Sequence, residues 1–399
     1  MRIFLIQHGL IDRHTHFYGE TLGWIDVLRR RNLEHRLFVH RDADAAIVEE
    51  FEAEPLLPYV PGARTVTDPV TDQLDSFLRF SAAFAEGCTG FADDLTAQDV
   101  VIVAFATERE LFGAAQWIST VPAARRPHIV FHFVTPDFRW AVSEDRQAVK
   151  GDVAYHRFAA NQLAEVSGHF HFFAGNEKLR HALRGAFNRA VSVAPIPMIY
   201  PAAADLPAWS GDPDWRPAHV GFVGEYRKEK GGGILPEVIE QFCRKRPGRR
   251  FFLQVQHEEQ ARLVHERLGH LDDLDVHTGQ LSHRAYVSRL DSMDIVLLPY
   301  NPARYALRTS GIFAEAAAYG LVPVVPNGTW MSDQLAAGQG SGVAFAEMTA
   351  ESITQALITA SDGFPVLKEK AMAGRSAWRA AQSLDALFDR ILDQVASAS

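Results

Sequence analysis

Short, continuous apolar runs recur along this chain with helical patterns between them, and no other feature constrains the fold as much. "RIFLI" (2–6), "RLFVH" (36–40), "DVVIVAF" (99–105), "HIVFHFV" (128–134), "HFHFFAG" (169–175) and "AVSVAPI" (190–196) mark the first half. A strand that is apolar on both faces must be covered on both faces. Helices such as "ETLGWIDVLRRRN" (20–32) supply the cover, so a parallel sheet is expected. The pattern stops at the proline-rich "PMIYPAAADLPAWSGDPDWRP" (197–217) and then starts again. "HVGFVG" (219–224), "FFLQVQ" (251–256), "LDVHTG" (274–279), "DIVLLPY" (294–300) and "LVPVVPN" (321–327) predict a second sheet, with helices at 258–269 and 310–319. The amphipathic segment at 375–397 predicts a closing helix. A chain of 399 residues suits two such domains.

Composition narrows the function. The net charge of −9 argues against a dedicated nucleic-acid binder. The two cysteines, Cys88 and Cys243, form no CxxC or zinc spacing. The N-terminus lacks the pattern of a signal peptide, and no apolar run is long enough to span a bilayer. The cytoplasm is the expected location.

Two stretches carry chemistry. In "GEYRKEKGGG" (224–233), a strand runs into a glycine- and lysine-rich turn that opens a helix, expected to start near Gly233. Gly224 permits a tight turn, and Gly231, Gly232 and Gly233 permit close approach of backbone to a ligand. A helix N-terminus with Arg227 and Lys230 nearby suits a diphosphate. Glu225 and Glu229 offer the opposite reading, a surface turn whose charges pair with one another. The spacing is neither a Walker motif nor G-x-G-x-x-G. The second stretch, "YNPARYALRTSGIFAEAAAYGLVPVV" (300–325), follows another strand. Arg304, Tyr305 and Arg308 lie in a loop, Thr309 or Ser310 caps a helix, and Gly311 permits close approach. Glu315, expected in about the first turn, is a carboxylate suited to the hydroxyls of a ribose. A glutamate favoured there by the helix dipole is the structural alternative.

"GEYRKEKG" (224–231), "DIVLLPY" (294–300) and "SGIFAEAAAYGLVPVV" (310–325), in this order, resemble the GT-B glycosyltransferases, closest to the retaining family-4 type. The resemblance covers the second domain, while the first matches mainly in pattern. It implies two Rossmann-like parallel-sheet domains facing an interdomain cleft. The boundaries expected are 1–197 for the acceptor-binding domain, 198–217 for a linker, 218–374 for the donor domain and 375–399 for a helix crossing back. It implies no cofactor and no metal, with a nucleotide-diphosphate sugar as donor substrate. Lys230 and Arg227 would hold the diphosphate, with Gly224, Gly231, Arg308 and backbone groups near Ser310, Gly311 and Ile312 around it. Glu315 would take the ribose, and Thr278, in "HTGQLSHRAY" (277–286), would lie beside the base. Two positions depart from the family: Glu225 follows the glycine where an arginine is usual, and Leu307 replaces an acid eight residues before Glu315.

The first domain would hold the acceptor, a glycan, a lipid-linked sugar or a small molecule. In the loop 7–20, Gly9 and Gly19 are expected to allow sharp turns, and His14, His16 and Tyr18 are acceptor candidates. His8, His14 and His16 lack partners at metal-ligand spacing. His132 sits where the family has a histidine near the reacting centre, and Asp137 and Arg139 are further candidates. The basic "LRRRNLEHR" (28–36) fits a helix C-terminus or a peripheral membrane contact. The rival functions are a GT-B epimerase, a non-catalytic relative that binds nucleotide or glycan, and, more distantly, a dinucleotide oxidoreductase.

Overall fold

The computed structural model describes residues 1–14, 16–58, 71–134, 140–142, 149–151, 154–196 and 219–398. The chain forms two compact units. One comprises Met1–Ala141, Ala148–Ile199 and Leu384–Ser399, and the other chiefly Tyr200–Ser383. The expected linker at 198–217, and Asp137 and Arg139, lie outside the described residues.

The first unit runs β1 (Ile3–Gln7), α1 (His16–Arg30), β2 (His35–His40), α2 (Ala45–Phe51), β3 (Glu54–Leu57), α3 (Thr71–Thr89), β4 (Val100–Val103), α4 (Glu108–Thr120) and β5 (His128–Phe133). It continues through the two-stranded ribbon β6 (Trp140–Val142) and β7 (Val149–Gly151), then α5 (Ala154–Ala164), β8 (His169–Ala174), α6 (Glu177–Phe187) and β9 (Ser192–Val193). The main sheet has the order β3-β2-β1-β4-β5-β8-β9, and its paired strands are parallel. The central strands β1, β4 and β5 are buried throughout, as their unbroken apolar runs require.

The second unit runs β10 (His219–Phe222), α7 (Leu235–Lys245), β11 (Arg250–Val255), α8 (Glu258–Leu268), β12 (Leu274–Thr278), α9 (His283–Asp291), β13 (Ile295–Leu297) and the short α10 (Pro302–Tyr305). Then come α11 (Gly311–Tyr319), β14 (Val322–Pro326), α12 (Trp330–Ala336), β15 (Val343–Phe345), α13 (Ala350–Asp362) and α14 (Phe364–Ala381). The sheet order is β12-β11-β10-β13-β14-β15, again parallel. Both sheets therefore have the doubly wound order, in which the first strand lies inside and the chain leaves it in opposite directions. The switch points fall between β1 and β4, and between β10 and β13.

The end of the chain departs from the single closing helix expected at 375–397. α14 ends at Ala381, and α15 (Leu384–Ala398) begins after a two-residue break and belongs to the first unit. Leu384 nests where α1 has no side chain. A Cβ on Gly23 would lie 2.3 Å from Leu384 Cδ1. Leu384, Leu387, Phe388, Ile391 and Val395 form the buried stripe of α15. The basic end of α1 binds this helix: Arg30 bonds Asp385 at 2.8 Å, and Arg31 bonds Asp385 at 3.0 Å and Asp389 at 2.5 Å. These two arginines of "LRRRNLEHR" thus have partners in the fold. Gly19 is a buried residue inside α1, not a turn residue. α7 begins at Leu235, after a short 3-10 turn at Lys228–Lys230, rather than near Gly233.

Candidate functional site

The two motif stretches of the second unit meet at the switch point between β10 and β13. Gly224, just past β10, has φ +94°, a conformation that favours glycine. A Cβ there would lie 2.7 Å from Ile312 Cδ1 and 3.7 Å from Lys230 Nζ. The missing side chain is therefore what lets Ile312, in the first turn of α11, close on this backbone, with the Lys230 ammonium beside it. Gly231, with φ +85°, makes a second close approach, since a Cβ would lie 2.5 Å from the Pro299 carbonyl oxygen beyond β13. The Asn301 N–H donates to Glu229 O at 2.8 Å and ties the loops again.

Two glutamines at the end of β11 hold the turn in shape. Gln254 accepts the Gly224 N–H at 2.8 Å and donates to Gly279 O at 3.2 Å. Gln256 donates to Gly224 O at 2.8 Å and accepts the Tyr226 N–H at 2.5 Å. Each amide uses its donor and its acceptor at once, and the backbone left over by the turn is satisfied. Thr278 ends β12 at the same edge of the sheet and is exposed.

Lys230 is half-buried, with its ammonium 5.6 Å from the centre of the Tyr300 ring. Burial pulls its pKa below the ordinary lysine value; Glu225 and Glu229 oppose this, and Arg227 and Arg308 add to it. The cations are thus near enough to feel one another. Glu225 and Glu229 are themselves engaged by Arg227: the Arg227–Glu225 pair is in direct contact and the Arg227–Glu229 pair is at 3.7 Å. Arg227 is more than half exposed and occupied on the surface of the turn, while Lys230 and Arg308 lie deeper.

Opposite them stands the start of α11. Ser310 caps the helix, its Oγ accepting the Phe313 N–H at 3.2 Å. The N–H groups of Gly311 and Ile312 come earlier in the first turn, where a helix has no acceptor of its own to offer. No acid stands in that turn, so the positive end of the helix is uncompensated. Glu315 lies deeper than expected, beyond the first turn, and is buried. The Tyr286 hydroxyl on α9 donates to it. α14 grips the rest of α11 by its carbonyls: Trp378 Nε1 bonds Ala314 O at 2.8 Å, Arg379 Nε bonds Ala318 O at 2.9 Å, and buried Lys368 bonds Gly320 O at 2.8 Å. Cations thus compensate one end of α11 and leave the other open to an anion. Leu307, where the family has an acid, is buried.

Expectations for the first unit divide. His14 and His16 are exposed on the β1 side. Tyr18 is turned to Glu50, its hydroxyl donating at 2.6 Å, and Arg13 holds the same carboxylate. His8 is buried, 3.8 Å from Glu110, so the three histidines of this loop do not gather. Among the described residues no group of three histidine, cysteine or acidic side chains is placed to hold a metal ion. His132 is buried on β5, and both its ring nitrogens lack a described hydrogen-bond partner. Burial pushes it down to about 4, so its ring is neutral near pH 7. Sequence reasoning missed Gln254, Gln256, Tyr286 and the α14 clamp. Only the position of the glutamines at a strand end was there to suggest them.

Two doubly wound parallel sheets, one in each unit, define the GT-B fold. Solved structures share it. HepE of Anabaena, in complex with UDP, matches with a TM-score of 0.63 at 15% identity over 100% of both chains. A glycosyltransferase from Rickettsia africae matches with 0.63 at 11% identity, over 98% of this chain and 97% of that one. The UDP-GlcNAc 2-epimerase of Neisseria meningitidis, bound to UDP-GlcNAc, matches with 0.59 at 13% identity, over 98% and 100%. The resemblance to GT-B glycosyltransferases carried by the sequence motifs is thus borne out in the fold. A scan against protein families finds no match, and a sequence search of curated proteins finds none.

Proposed function

We propose that the protein is a glycosyltransferase that moves a hexose from a nucleotide-diphosphate sugar to an acceptor hydroxyl, with retention and without a metal. One observation carries this: the acid-free first turn of α11 faces the Lys230 and Arg308 charges across Gly224. That arrangement suits a diphosphate, the group that departs in such a reaction. The bond from the anomeric carbon to the diphosphate oxygen breaks, and the acceptor oxygen bonds to the same face. The acceptor proton passes to the departing phosphate. Lys230, Arg308 and the helix start supply positive charge to that oxygen, a role a metal fills elsewhere. Glu315, held by Tyr286, takes the ribose, and Thr278 lies toward the base. HepE has also been solved with UDP-glucose, which makes UDP-glucose the first donor to test. A nucleotide-sugar donor and two buried free cysteines fit the cytoplasm.

A second reading is a relative that binds nucleotide without turnover. Arg227, expected as a second phosphate ligand, is taken by Glu225 and Glu229, and Leu307 is apolar. Release of nucleoside diphosphate from a panel of nucleotide sugars, in EDTA, separates the two. A transferase hydrolyses its donor slowly even without acceptor, and Lys230→Ala abolishes that release. Binding without release supports the second reading.

A further inference from the structure

Three rings come together at the switch point of the first sheet, where β1 and β4 lie side by side. His16 and Phe17 open α1 after the β1 loop, and Phe105 follows β4. His16 stacks on Phe17 with centroids 4.2 Å apart and meets Phe105 at 5.3 Å, while Phe17 and Phe105 stand edge to face at 4.8 Å. His16 is exposed and both phenylalanines are half-buried. The β1 loop is shaped around the cluster, since a Cβ on Gly9 would lie 2.2 Å from the Phe17 ring. Aromatic surface left in water forgoes the free energy of burial. The carboxyl edge of a parallel sheet at its switch point is also where ligands of open α/β folds sit.

The charges around the rings select the ligand. Glu108 and Glu110 fill the first turn of α4, beside Phe105, so this helix start is already compensated. Asp12 lies in the β1 loop, where its carboxylate accepts the His14 N–H at 2.7 Å. Glu50 holds Arg13 and Tyr18. Arg109 lies 3.9 Å from Glu108. Arg13 and Arg109 are thus each set against a carboxylate. A phosphate or uronate here would face acids. A pyranose ring offers an apolar C–H face to the aromatic rings and brings no charge to meet the acids.

We propose that His16, Phe17 and Phe105 form a stacking platform for an uncharged sugar unit, and that the acceptor of this enzyme is a neutral glycan. The second half of this rests on the transfer reading above; the platform itself does not. Saturation-transfer NMR on the full chain tests it, with maltotriose and cellotriose as neutral probes and glucose 6-phosphate and glucuronic acid as anionic ones. Saturation is expected on the ring protons of a neutral probe, reduced about five-fold in Phe105→Ala and in His16→Ala. Equal or stronger signals from the anionic probes overturn the proposal. So does the lack of signal from both neutral sugars, or a signal that both substitutions leave unchanged. Thermal shifts with UDP on the same samples show that the variants fold and read the donor site separately. A neutral sugar bound by a protein that ignores every nucleoside diphosphate supports the platform and removes the transfer reading.

Discussion

The two switch points share a topology and differ in charge. In the first unit, α4 starts with a capping box in which Thr107 and Glu110 satisfy each other, and Glu108 adds a second acid to the same turn. In the second, α11 starts with Ser310 and Gly311 and carries no acid in its first turn. One helix dipole is compensated by acids of its own first turn, and the other is not. The cations repeat the contrast. Arg109 stands against Glu108, whereas burial draws the Lys230 ammonium below its ordinary pKa, with Glu225 and Glu229 opposing and Arg227 and Arg308 adding to the shift. Fold alone therefore does not distinguish the two switch points. A few side chains at the switch points do.

The strongest way to break this contrast is to remove its central charge. Lys230→Ala is expected to weaken nucleoside-diphosphate binding by about 100-fold, in line with the loss of one charge-assisted contact to phosphate. Titration calorimetry measures it, with Glu108→Gln in the first unit as the control that leaves binding unchanged.

A second test uses the acids of the first unit. Glu20 is buried against Trp24, whose Nε1–H donates to it at 3.2 Å, and burial pushes its carboxyl up to about 8. Folding thus favours the protonated acid. Between the ordinary glutamate value and about 8 the folded chain binds more protons than the unfolded one, so this group's contribution falls as pH rises. His132 and His171, each lowered to about 4 by burial, and His8, His40 and His128, also lowered chiefly by burial, work in the other direction through the ordinary histidine range. The Glu20 effect is no more than about 1.4 kcal/mol per pH unit, and the difference between wild type and a Glu20 variant isolates it from the histidines. Urea unfolding from pH 6.5 to 8 should show the stability of wild type falling relative to that of Glu20→Gln as pH rises.

Copying the α4 arrangement onto α11 should separate stability from binding. Gly311→Asp has room, because nothing lies within 4 Å of the added Cβ. An acid at a helix start stabilises by about 0.5 kcal/mol. The same charge repels a diphosphate, and about a ten-fold loss of affinity is expected. A melting temperature that rises while affinity falls is the signature. The smallest effect is at the basic end of α1. Arg31→Ala removes partly exposed pairs to Asp385 and Asp389, and urea unfolding should register about 0.5–1 kcal/mol with nucleotide binding unaltered.

Much of the architecture was legible because the buried strands are apolar on both faces. β1, β4, β5, β8, β10, β11 and β14 all stand where continuous runs lie in the sequence. The strands that escaped are short edge or ribbon elements. β3 is "EPLL", which carries a proline that suits only an edge, and β15 has three residues. The division of the last helical segment also escaped. α14 and α15 are both amphipathic, and Leu384, which opens α15, packs at Gly23 of α1, far away in the sequence. In the candidate site, Gly224, Lys230 and Ser310 were legible from local turn and cap chemistry. The pairing of Arg227 was legible as an alternative, in the glutamates two residues to either side. Tyr286 and Trp378 were not, because their partners on α11 are brought near only by the fold. His132 shows the opposite failure: its place within a run covered on both faces already argues for a buried ring, against its reading as a site candidate.

The central claim is that the switch point of the second unit, and not that of the first, holds a nucleoside diphosphate. Titration calorimetry with UDP, GDP, ADP, CDP and TDP in EDTA, on wild type, Gly311→Asp and Glu108→Gln, tests it most directly. The account predicts that one diphosphate binds wild type and Glu108→Gln alike and binds Gly311→Asp about ten-fold more weakly. Binding that is indifferent to Gly311→Asp, or no binding of any diphosphate, would contradict it.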